Sequence, residues 1–253
     1  MAGTSRAAES PTPATSPTYA VISLIGDQLG LIGFQPQVGS RLNQNRRGSA
    51  TMPDAGFDAT ALRTIQQTMQ QADPKANVLL YRITSARLSA NPALLFNGET
   101  AVIPPAFEEG MKADGANYLI LLTRRRGEAN MKASFNDQGS GVSLGSGNVE
   151  GIGYFADALT PMVNVDTNFS STGYLAAYVS LQLSLIELST SKVLAQIPVV
   201  ESRALAADGS DSSADPWQIV PHEKKAAYTN QLIEFAVGRS LPGLLKAVPA
   251  KAR

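Results

Sequence analysis

Cysteine is absent from this 253-residue chain, and histidine occurs once, as His222. Without thiols there is no disulfide, no thiolate metal site and no cysteine nucleophile. With a single imidazole, a zinc site would have to be built almost wholly from carboxylates, far from the usual ligand sets. No metal and no cofactor is therefore expected. An excess of either charge is lacking too, since Lys+Arg and Asp+Glu stand at 21 each. A neutral chain has no broad attraction to nucleic acid or to anionic lipid. No apolar run approaches the ~20 residues that a helix needs to span a bilayer. No apolar stretch of signal-peptide character follows Met1.

What is present is a globular composition, 43% hydrophobic and 17% charged. Residues 1–18 are rich in Ala, Ser, Thr and Pro and read as an extended tether. Residues 19–246 read as a single α/β domain, because no interior segment is long and polar enough to separate two cores. Residues 247–253 read as a tail. Tethers of this kind often join folded domains to a membrane anchor or signal; a merely disordered terminus is the other reading. The expected location is the periplasm or envelope, with a leader upstream of this sequence; the cytoplasm is the alternative.

The patterning predicts a β-hairpin from Ala20–Ile25 and Leu29–Phe34, turning at Gly26-Asp27-Gln28. Residues 35–56 read as a long polar loop. A helix follows over about 58–72, with Asp58 as N-cap and Leu62, Ile65 and Met69 as its buried stripe. Asn77–Thr84 is uniformly apolar enough for an interior strand. A second helix spans about 104–114, with Phe107 and Met111 on its inner face. Ala116–Thr123 is a strand, and 128–135 would return beside it after Gly127. Residues 137–148 read as a glycine-serine loop before a strand at 149–155. In the long strand 173–188, Leu175, Ala177, Val179, Leu181, Leu183 and Leu185 share one face. Tyr178, Ser180, Gln182 and Ser184 share the other, which is predicted to be wet or partly wet. The return strand 193–200 contains Pro198, a mark of a sheet edge or bulge. After a polar loop at 206–215, a helix over about 222–240 is stopped or kinked by Pro242. The sum is an α/β (α+β) fold: a mixed, largely antiparallel sheet with about three packed helices.

Four groups of residues could carry chemistry. Gly26-Asp27-Gln28-Leu29 resembles the Gly-Asp-Ser-Leu block of the SGNH esterases, with Gln28 in place of the nucleophilic serine. It supports, as an alternative function, a hydrolase assembled from distant residues around Asp27 and His222. The series Gly139, Gly141, Gly145, Gly147, Gly151 and Gly153 lacks the helix start and the Lys-Ser/Thr of a phosphate loop, and reads as a hairpin loop. Arg124, Arg125 and Arg126, with Arg46 and Arg47, could bind an anion or nucleic acid, a second alternative. Few aromatics interleave with them, which disfavours nucleic acid. Trp217, ahead of the last helix, is a candidate partner anchor. Glu223 and Asp215 complement that helix's N-terminus.

Two stretches carry a family resemblance. Gly110-Met-Lys-Ala-Asp-Gly-Ala-Asn-Tyr-Leu-Ile-Leu122 resembles the helix ending in Ala-Asp-Tyr that feeds an apolar strand in a group of bacterial envelope proteins. That group comprises the curli-secretion protein CsgG, LpoB and the TolB amino-terminal domain. Val179–Val193 resembles the same group's long strand, its Asp-x-x-Thr-Gly-x-Val turn and its return strand, with Glu187 in the place of Asp and Ser191 in that of Gly. The resemblance implies a non-enzymatic envelope module that binds another envelope protein, and it assigns no functional residue.

Overall fold

The computed structural model describes residues 16–36, 45–83, 86–133, 142–163, 170–206 and 215–248. Most of the expected tether and tail, the loop 207–214, and Gly139 and Gly141 lie outside them. The strands are β1 Thr18–Leu24, β2 Gln28–Gly33, β3 Arg46–Thr51, β4 Asn77–Tyr81, β5 Phe96–Asn97, β6 Thr100–Ala101, β7 Tyr118–Arg124, β8 Arg126–Ala133, β9 Val142–Val163, β10 Ser170–Glu187 and β11 Lys192–Ala206. The helices are α1 Phe57–Ala72, α2 Ala86–Ala90, α3 Pro105–Ala113 and α4 His222–Leu245. The architecture is α+β, with a mixed, mostly antiparallel sheet in one domain.

β10 is the trunk of this sheet. One of its edges pairs with β11 from Tyr174 to Glu187. Its other edge is shared: Ser170–Ser180 pairs with β9, and Leu181–Glu187 pairs with β7. Two branches therefore leave the same side. One runs β7-β1-β4, all parallel; the other runs β9-β2-β3. Leucines and valines that alternate along β10 face α1 and α4 in the main core, with Val179, Leu181, Leu183 and Leu185 fully buried. On the opposite face, a second core holds Ile22, Leu24, Leu119, Leu121 and Ile186 beneath the segment that runs from α2 to α3.

Several expectations change. β1 and β2 do not form a hairpin: β1 lies between β4 and β7, while β2 joins the other branch. The chain turns at Gly26, which adopts φ 71°, and the turn is held by groups distant in sequence. The loop 35–56 contains β3. β8 pairs with the first half of β9, not with β7, so Val142–Asn148 is strand rather than loop. β4 is an edge strand rather than an interior one, because it pairs with β1 alone among the described residues. The second face of β10 is largely buried, with Gln182 partly exposed. Tyr178, Ser180 and Ser184 are buried; Tyr174 and Tyr178 pack with Val149 and Phe155, and β8 lies against β10 and β11. Phe107 points outward at 42% exposure, while Met111 is buried. Among the described residues there are four α-helices, the added one being α2, and Pro242 lies inside α4 without ending it.

Candidate functional site

Strands β1 and β4 run parallel with Ile22 beside Tyr81, so both end on the same side of the sheet. Open sheets with parallel strands leave a crevice there, beyond the carboxyl ends. In this chain it is a cleft of about 590 Å³ between those strand ends, the start of α1 and α2. Its floor is apolar, with Met52, Phe57 and Leu62. Its polar lining comes from Ser23, Asp27, Asp58, Arg82 and Ser89.

Asp58 sits in the first turn of α1, not at its N-cap, which is Gly56 in a left-handed conformation. Its carboxylate reaches back to the end of β1. It accepts hydrogen bonds from Ser23 Oγ (2.6 Å), the Ile25 amide (2.9 Å) and the Gly26 amide (3.1 Å). Asp58 thereby ties helix, strand and turn together. Asp27 is exposed at the cleft mouth, and its carbonyl accepts from the Met52 amide at 2.8 Å. Arg82 is exposed, with no ion pair to a described residue. Arg82 and Ser89 were not singled out from sequence. The available signal was a lone cation at the end of an apolar strand, which in most chains is a solubilising flank.

The arginine triplet divides by environment. Arg124 lies partly buried beneath the β1–β2 turn. Its Nε donates to the Ile25 carbonyl at 2.8 Å, and its Nη2 donates to the Gln28 carbonyl. Burial holds its pKa below the usual value, opposed by the nearby Glu150, Tyr178, Asp58 and Asp27. A Cβ on Gly151 would come within 2.9 Å of Arg124 Nε, so the left-handed glycine there makes room for the guanidinium. Arg125 bridges β7 and β8, its amide donating to the Ser180 carbonyl at 3.0 Å, and its side chain lies over Gly127. Arg126 is exposed and stands opposite Glu150 in the β8–β9 ladder. Arg47 donates to the Asn148 carbonyl at 2.6 Å. Gly151 and Gly153, from the glycine series, thus serve close packing: the Tyr178 hydroxyl fits between Gly30 and Gly153.

Trp217 is half-buried and packs against the main core. Its amide donates to Asp215 Oδ1 at 3.1 Å, and its carbonyl accepts from Lys225 Nζ at 2.8 Å. Lys225 is buried and also donates to the Val220 carbonyl; burial pushes its pKa down, with Glu223 and Asp215 opposing. His222 stands exposed at the first position of α4 and does not line the cleft that holds Asp27. The cleft therefore brings Asp27 together with Ser23 and Ser89, and leaves His222 out. Among the described residues there is no group of three or more His, Asp or Glu placed to hold a metal. Among them, too, no helix is long and apolar enough to cross a membrane.

No protein-family model and no curated protein matches this chain. Solved structures align along most of it. A Xanthomonas campestris protein of family DUF330 is 12% identical, with 96% of this chain and 93% of that one covered and a TM-score of 0.39. A neuraminyllactose-binding hemagglutinin homolog from Helicobacter pylori is 8% identical, covering 97% and 94%, with a TM-score of 0.40. A hypothetical protein from Chlamydia trachomatis is 11% identical, covering 91% and 99%, with a TM-score of 0.31. At such scores the superposition is loose, and no property of those proteins transfers to this one.

Proposed function

We propose that this chain is a non-catalytic protein-interaction domain of the bacterial cell envelope. The observation that carries the reading is the stretch of chain from Pro92 to the first turns of α3. There Leu94, Val102 and Phe107 are 43%, 50% and 42% exposed, within one short stretch of chain. Exposed large apolar side chains close together in the chain are a feature of partner contacts. Asp58 in the cleft lining, and Arg124 beneath the neighbouring turn, are spent on holding backbone. The Pro/Ser/Thr/Ala-rich segment before Tyr19 and the resemblance to the envelope group support the location.

The test is expression from the native locus, fractionation, and cross-linking of intact cells. The protein is expected in the envelope fraction, cross-linked to another envelope protein. Val102→Glu with Phe107→Glu is expected to abolish that cross-link while the protein stays folded. A cytosolic protein, or cross-links indifferent to the double substitution, would refute the reading.

A further inference from the structure

Among the described residues, the edges of the sheet are protected with one exception. β3, at the end of one branch, carries Arg46, Arg47 and Gly48. β11 pairs with β6 only at Lys192, and its outer edge carries Pro198, Glu201 and Arg203. β5 is two residues long. β8 carries Arg126 and Glu128. Charges, proline and shortness are the ordinary devices that stop an edge from pairing with another chain. β4 has none of them: its sequence is Asn-Val-Leu-Leu-Tyr.

This strand has the composition of an interior strand, yet the fold leaves it at an edge. Its inner side pairs with β1 in parallel register, and the Asn77 amide donates to the Pro17 carbonyl. Strand alternation then points the N–H and C=O groups of Val78 and Leu80 outward. Nothing among the described residues pairs with that outer side. Leu80 is 42% exposed beside it.

We infer that the outer edge of β4 pairs with β4 of a second copy of this chain, about a two-fold axis at Leu79. In an antiparallel arrangement with Leu79 opposite its own copy, Val78 faces Leu80 of the partner subunit. The outward groups of those residues then exchange four backbone hydrogen bonds. Val78 and Leu80 lie on one face of the pair, so each exposed Leu80 is covered by a valine. Asn77 faces the partner's Tyr81 on the other face. No charged residue falls within the five paired positions, and Lys75 and Arg82 lie just outside them. Such a self-complementary contact closes at two copies. A pair of five-residue strands is expected to bury less than the ~1,200–2,000 Å² of tight complexes, so association is expected to be weak.

This pairing does not depend on the envelope reading, and Val102→Glu with Phe107→Glu should leave it intact. The experiment is sedimentation equilibrium of the full chain, from micromolar to several hundred micromolar. The parent is expected to pass from monomer to dimer. Leu80→Lys should weaken association by about tenfold or more. Phe235→Lys, on the exposed face of α4, should leave it unchanged. Leu80→Pro, which removes an outward-facing N–H and no hydrogen bond to β1, repeats the test with the fold checked by circular dichroism. A parent that stays monomeric, or a folded Leu80 variant that dimerises as the parent does, overturns the proposal.

Discussion

At the scale of single residues, the charged groups in and around the core act as architecture. Arg124 holds two carbonyls of the β1–β2 turn, and Lys225 holds the carbonyls of Trp217 and Val220. A partly buried carbonyl that loses its donor costs about 1–3 kcal/mol. Arg124→Lys replaces a planar fork with a point donor that can satisfy one carbonyl and not both. We expect it to lower unfolding free energy by about 1–3 kcal/mol in urea titrations. An unchanged midpoint would show that the turn is held by Asp58 alone. None of this was readable in sequence, where three consecutive arginines look alike. Their different fates follow from strand alternation and from a kink between β7 and β8.

At the scale of elements, close approach of strands decides which side chains fit. Gly30 and Gly153 are paired across β2 and β9, and the Tyr178 hydroxyl lies over both. A Cβ at Gly30 would collide with that hydroxyl. We expect Gly30→Ala to destabilise by about 1–3 kcal/mol through overpacking. Adding Tyr178→Phe should recover most of that loss, because the colliding atom is removed. A double-mutant cycle with no coupling would refute this account. The turn between β10 and β11 shows how local physics imprints sequence. Thr190 Oγ1 donates to Glu187 at 2.6 Å, and Ser191 adopts φ 55°, a left-handed conformation that glycine takes most easily. The stretch that carries the envelope resemblance thus meets a turn requirement. Ser191 holds its position with a hydrogen bond to Glu108 at 3.0 Å and by accepting from the Ala101 amide at 2.7 Å. Lys112, hydrogen-bonded to Glu108, holds that carboxyl below its ordinary pKa, with Ser191 adding to the effect.

At the scale of the whole molecule, burial of tyrosine makes stability depend on alkaline pH. Burial pushes Tyr154 and Tyr178 up to about 12. Burial also raises Tyr174, and Asp157 adds to it. These folded-state values lie above the ordinary value near 10, so between about 10 and 12 the native state keeps protons that the unfolded chain releases. Stability from these groups is fully present below about pH 10 and falls as pH rises toward 12. Urea titrations at stepped pH, followed by phenolate absorbance, should show the midpoint falling across that window. Phenolate that appears without loss of structure would contradict it.

Much of the fold was legible in the sequence because it rests on short-range patterns. The apolar alternation of β10, the amphipathic stripe of α1 and the proline that opens α3 each express a local rule of burial or backbone geometry. The α+β class follows from their order. The composition also excluded thiol chemistry outright. The tertiary structure alone decided which strands became neighbours. β1 is joined by a short turn to β2, yet it pairs with β4 and β7, and Asp58 and Arg124 hold the intervening turn. It placed apolar β4 at an edge and buried the serine and tyrosine face of β10, outcomes that depend on partners tens of residues away. The cleft arose in the same way, where two parallel strands end beside the start of α1. No local pattern encodes that juxtaposition, since its cost and its gain are settled only when the whole sheet is assembled.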